Sequence, residues 1–134
     1  MKKSLLPLTK FALALTAIVP TVFALTGLLA PGLINTLLWP PPLEGPPLTW
    51  IRYTSAIYLA LATGAAYAFR QDNWSAARIA LIVGAVYNAL DVLFTIPVVT
   101  GTPRVPLIVW LFVVLGVIYV AVVVAAWRQE SAHA

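Results

Sequence analysis

Apolar residues in this chain fall into four long runs, at 11–30, 49–69, 76–99 and 105–127, separated by short clusters of proline, glycine and polar residues. Each run matches the roughly 20 residues that carry a helix across about 30 Å of hydrocarbon. The last is the cleanest, with no charge from Val105 to Trp127 and many valines and isoleucines. In water such β-branched residues favour strands. In lipid a lone strand leaves its backbone unpaired, so the run predicts a helix.

The breaks between runs have their own chemistry. Pro31-Gly32 ends the first helix, and 33–39 reads as a short apolar piece lying at the membrane surface. Five prolines among the eight residues 40–47 favour polyproline II and forbid helix. This segment is predicted to be a rigid external connection within a loop at 31–48; a partner-binding strip is the other use for it. Arg70–Ser75 is a tight polar turn that makes its two helices antiparallel neighbours. Thr100–Arg104 is the last turn, with Pro106 suited to an early helix position.

Composition agrees with this pattern. Of 134 residues, 62% are apolar and 9% charged, against roughly 45–50% and 25% in soluble domains. So little charge cannot cover a water-facing surface. The scattered basic residues form no nucleic-acid patch, and the absence of cysteine excludes disulfides and thiolate metal sites. The predicted fold class is all-α: one antiparallel four-helix transmembrane bundle with short loops, whose immediate partner is the lipid bilayer. The first run also fits a secretory signal, with a basic start at Met1–Lys10 and small-residue positions at Val22 and Ala24. It continues to Ala30, long enough to span, so it is predicted to remain as a helix, with cleavage as the competing reading.

Lys2, Lys3, Lys10, Arg70, Arg78 and Arg128 fall on one side of a four-span arrangement, and Arg52 and Arg104 on the other. The positive-inside rule then puts both termini in the cytoplasm of a cell or inner membrane. Trp39, Trp50 and Trp110 fall at the outer ends of the runs and Trp74 and Trp127 at the inner ends, where indole prefers the headgroup zone.

Small residues suggest how the helices pack. Ala56, Ala60, Gly64 and Ala68 recur every four positions in the second run, and Ala76, Ala80, Gly84 and Asn88 in the third. Such stripes let membrane helices approach closely. With a short turn joining these runs, they are predicted to face one another and form the tightest pair. Gly116 offers a similar site in the fourth run. Pro20 and Pro97 predict kinks, and the Thr16 hydroxyl is placed to satisfy a backbone group freed by Pro20.

Polar residues inside the runs are few. Asp91 is the only acid there, with Asn88 and Thr95 on its helical face and Tyr87 at the edge of that face. A carboxylate in hydrocarbon is costly unless paired or protonated. Counted from the inner arginines, Arg52 and Asp91 differ in depth by about 7 Å, within an arginine's reach. They form a candidate intramembrane ion pair, serving either as a functional site or as a packing lock. In the other arrangement Arg52 snorkels outward and Asp91 bonds nearby hydroxyls. Tyr58 and Tyr119 fall near mid-membrane and need hydrogen-bond partners, or line a ligand cavity.

No catalytic constellation, metal-ligand spacing or cofactor motif is present: His133 lies in a polar tail, and no second acid stands with Asp91. The stretches Trp50-Ile51-Arg52-Tyr53 and Tyr87-Asn88-Ala89-Leu90-Asp91 resemble small four-span bacterial membrane proteins, and in size the chain is similar to the DoxX group. The resemblance brings no functional motif. The small multidrug transporters share the size, but their first helix carries a glutamate that this one lacks. The expected function is that of a non-catalytic accessory component of a membrane assembly, contacting other membrane proteins or itself. The alternative is a small transporter or lipid- and hydrophobic-ligand-binding protein built around Asp91.

Overall fold

A computed structural model describes residues 4–39, 45–101 and 105–133. These form five helices and no strand: α1 (Pro7–Leu29), α2 (Pro31–Leu38), α3 (Leu48–Gln71), α4 (Trp74–Gly101) and α5 (Leu107–His133). The predicted prolines 40–42, Leu43 and Glu44 of the connection lie outside the described residues, as do Lys2, Lys3 and Arg104.

Local chemistry sets the ends. Pro7 opens α1 and Pro31 opens α2, each where the missing N–H costs nothing. The piece predicted to lie flat at the surface is the helix α2. The turn between α3 and α4 is shorter than its polar sequence implied: Asp72 takes a left-handed conformation at φ 46°, which aspartate tolerates. The Asn73 side chain then accepts from the Ala76 N–H at 3.0 Å and caps α4. α1 runs through Pro20, and α4 through Pro97. The Thr16 hydroxyl donates to the Ala12 carbonyl at 2.8 Å. The carbonyl that Pro20 leaves free is Thr16's own, so the predicted rescue is not made.

The start of α1, the α3–α4 turn and the end of α5 meet at one end, termed here the base. The Leu5 N–H donates to Asp72, and the Leu6 N–H to Glu130. The long helices therefore run alternately up and down. They pack in the ring order α1, α3, α4, α5, with α1 also touching α4 across the ring.

Their pairing corrects the sequence expectation. α1 and α3, not α3 and α4, make the most extensive contact. The face that α3 buries is Ile51, Ser55, Ala62, Ala65 and Ala68, and Gly27 of α1 lies against Ser55 and Ile51. Of the predicted packing residues on α3, only Ala68 is buried; Ala56, Ala60 and Gly64 are exposed. A Cβ on Gly64 would meet nothing within 4 Å. On α4, Gly84 is buried and Ala80 half-buried. Gly84 packs against Tyr119 and Thr16 rather than α3: a Cβ there would sit 2.5 Å from the Tyr119 hydroxyl. The short turn misled the sequence reading because it sets which helices are neighbours but not how closely they approach.

α1, α4 from Trp74 to Pro97, and α5 from Leu107 to Ala132 are long and apolar enough to cross a membrane. They mark the chain as a membrane protein. α3 matches them in length, but Arg52, Tyr53, Thr54, Ser55, Tyr58, Thr63 and Tyr67 lower its hydropathy. Ile18, Val22, Ile79, Leu93, Phe94 and Val117 are all more than half exposed on the outer faces, as lipid-facing positions should be.

Candidate functional site

Polar groups in the apolar body gather in three places. At the base, α1 starts without a side-chain cap of its own, and two carboxylates from elsewhere in the chain take its open donors. Glu130 Oε1 accepts from the Leu6 N–H and from the Thr9 hydroxyl, both at 2.8 Å. Thr9 is fully buried and Glu130 only 8% exposed. Asp72 accepts from the Leu5 N–H at 3.1 Å and pairs with Lys10 at 3.0 Å. The Lys10 ammonium and the Leu5 N–H hold the Asp72 carboxyl below its ordinary range. The Trp74 and Trp127 rings meet edge to face at 4.9 Å beside this station. The sequence reading missed Asp72 and Glu130. The signal was a helix start, Leu6-Pro7, with no Ser, Thr, Asp or Asn to cap it.

The second place is internal. Thr16 gives its hydroxyl proton to Ala12, so the Tyr119 hydroxyl must donate to Thr16 Oγ1. Tyr119 thereby finds the partner its depth demands and ties α5 to α1, with Gly84 leaving room for its ring. It lines no cavity.

The third place is the seam between α3 and α4. Ala60, Gly64 and Ala68 on α3 and Ala76, Ala80 and Val83 on α4 line a groove of about 310 Å³. Tyr67 and Ile79, each 62% exposed, form its rims. The small-residue stripes thus do face one another, but across open space. On α4 the row Ile79, Val83, Tyr87, Asp91 steps by four, so one ridge climbs from the groove to the acid. Tyr58 of α3 meets Tyr87 edge to face, with ring centroids 5.2 Å apart. Asp91 stands one turn beyond Tyr87 on α4.

The predicted cluster is therefore redistributed. Asp91 and Tyr87 stay together and gain Tyr58. Asn88 turns away: its amide donates to the Gly84 carbonyl at 2.8 Å. It lies beside Gly116, where an added Cβ would be 3.9 Å from its side-chain oxygen and 2.7 Å from Val92. Thr95 is half-buried one turn beyond Asp91. Arg52 is exposed and makes no ion pair with Asp91; the pair found among the described residues is Lys10–Asp72. Depth alone suggested the Arg52–Asp91 pair. On α3, however, Arg52 stands about 120° around the helix from Tyr58, the residue that faces α4.

Among the described residues no three His, Asp or Glu side chains converge as metal ligands do. Comparison of the chain with protein-family models, with curated proteins and with solved structures returns no match.

Proposed function

We propose that this is a four-span integral membrane protein of the cell membrane, with both termini cytoplasmic, that acts without catalysis by engaging a hydrophobic body at the α3–α4 seam. The observation that carries this reading is the groove itself. Small residues that would draw two membrane helices together are left bare between rims of larger ones. Partner helices and small apolar ligands both use such surfaces. The helix would make the protein an accessory component of an assembly. The groove's volume matches the lower end of small-ligand sites, about 300 Å³, and it runs up to a polar station. Both features favour the ligand.

α3 is included as a span because it lies antiparallel beside α1 over its length, and its polar residues include the exposed Arg52 near one end. With four spans, Glu44→Cys and Gln71→Cys should react with an impermeant thiol reagent from opposite sides of sealed vesicles. Labelling of both from one side would remove α3 from the membrane.

Occupancy of the groove is tested by native mass spectrometry after release from mild detergent. Wild type should carry small hydrophobic adducts. Gly64→Phe, which has room for the ring, should lose them while keeping its helical content. Identical adducts in both proteins would rule the groove out as the site.

A further inference from the structure

We propose that the α3–α4 seam takes a hydrophobic organic cation, with its apolar body in the groove at Gly64 and Ala80 and its positive centre at Tyr58, Tyr87 and Asp91. This rests on the reading of the seam as a binding site and adds the charge of the ligand. Three observations lead to it.

Asp91 is an exposed acid on an apolar helix. It stands 17 residues beyond Trp74, about 26 Å along α4, on a helix apolar enough to span. No basic group among the described residues pairs with it. The basic residue of its own helix, Arg78, is 13 positions away, about 20 Å. The apolar stretch ends at Pro97, so Asp91 lies about 9 Å inside its far end, where an exposed carboxylate without a basic partner favours a cation.

The two tyrosines supply the rest of a cation's surroundings. An aromatic ring has a negative face, and a carboxylate beside aromatic rings is the recurring way to hold an ammonium or other soft cation out of water. Tyr58 and Tyr87 come from different helices and meet edge to face at 5.2 Å, so one ring's face stays free of the other's. Tyr87 lies one turn before Asp91 on the same helix.

The groove gives the ligand its shape. Val83 is one turn below Tyr87 on the same ridge, and Leu61 one turn from Tyr58; both line the groove. A ligand with its charge at the tyrosines therefore has its body over Gly64 and Ala80, against a lining that is almost entirely apolar. An anion of equal size would meet the same lining and the wrong charge.

The test compares two ions of one size and shape and opposite charge, tetraphenylphosphonium and tetraphenylborate, titrated against the full-length protein in dodecyl maltoside. Wild type should bind the phosphonium at least tenfold more tightly than the borate. Asp91→Asn should abolish that preference, Tyr58→Leu and Tyr87→Leu should weaken phosphonium binding, and Gly64→Phe should weaken both ions. Arg52→Gln, on another face of α3, should change neither. Circular dichroism and gel filtration establish that each variant is folded. Added phosphatidylethanolamine separates the sources of the cation: displacement assigns the site to a lipid amine, and no displacement to a free cation. Equal binding of the two ions, untouched by Asp91→Asn but lost in Gly64→Phe, would overturn the inference and leave the groove as a neutral site. No binding of either ion, with unchanged adducts in Gly64→Phe, would overturn both.

Discussion

Gly27→Leu should unfold this protein at a markedly lower temperature than wild type, and Gly64→Leu should leave it nearly unchanged. A Cβ on Gly27 would run into the Ser55 hydroxyl and lie 3.1 Å from Ser55 Cβ and 3.5 Å from Ile51. Both neighbours are buried on the face that α3 turns to α1. The Ser55 hydroxyl can turn aside only by giving up its bond to the Ile51 carbonyl, and Ser55 Cβ cannot turn aside at all, so the larger leucine side chain must push the two helices apart. Overpacking of this kind costs about 1–3 kcal/mol, and separation of the most extensive contact in the molecule belongs at the upper end. Gly64 has open space on the same helix. Thermal unfolding in detergent, followed by tryptophan fluorescence, distinguishes the two variants. Equal losses would mean that α3 turns its small-residue stripe, not its Ile51–Ala68 face, toward the rest of the protein.

Glu130→Ala should be comparably damaging although it removes only a carboxylate near the end of the last helix. One oxygen of Glu130 receives both the Leu6 N–H and the Thr9 hydroxyl. Without it, a fully buried hydroxyl and a backbone donor lose their acceptor. Each such orphaned group costs about 1–3 kcal/mol. The carboxylate also lies at the positive end of the α1 dipole, worth roughly 0.3–1 kcal/mol. Glu130→Gln keeps an oxygen and loses mainly the charge, so its deficit should be much smaller. Protease sensitivity of the α1 start, measured with the unfolding temperature, should follow the order wild type, Gln, Ala. If the alanine variant matched wild type, water would be serving these donors as well as Glu130 does.

Hydropathy made much of this architecture legible. The apolar runs foretold α1, α3, α4 and α5 to within a few residues, apart from the longer α5, because a segment with almost no charge has few choices other than a long helix. The Arg70–Ser75 turn and the shared end of Trp74 and Trp127 were legible too, since both follow from chain connectivity. Pairing was not. Ser55, Ala62 and Ala65 are as small as Ala56, Ala60 and Gly64, and composition does not say which of two small-residue faces will find a partner. That choice depends on Gly27, which arrives from another helix. The seam was half legible: Asp91 was conspicuous as the acid of an apolar run, and Tyr87 lay at the edge of its face. Tyr58 joined them only because α3 and α4 run side by side, and Asn88 left because it points to α5. Glu130 looked like part of a solvated tail, since its partners Leu6 and Thr9 lie more than 120 residues earlier.

That separation bears on how the molecule is made. A chain leaves the ribosome from its first residue onward, so α1 is exposed to the membrane surface before the acceptor for its first turn has been translated. The face that covers Gly27 comes second, with α3, and the carboxylate that completes the start of α1 comes last. Any product truncated before Glu130 would therefore carry the same defect, an unfinished helix start at the membrane surface, wherever the truncation fell. The start of α1 is thus completed only after Glu130 has been translated.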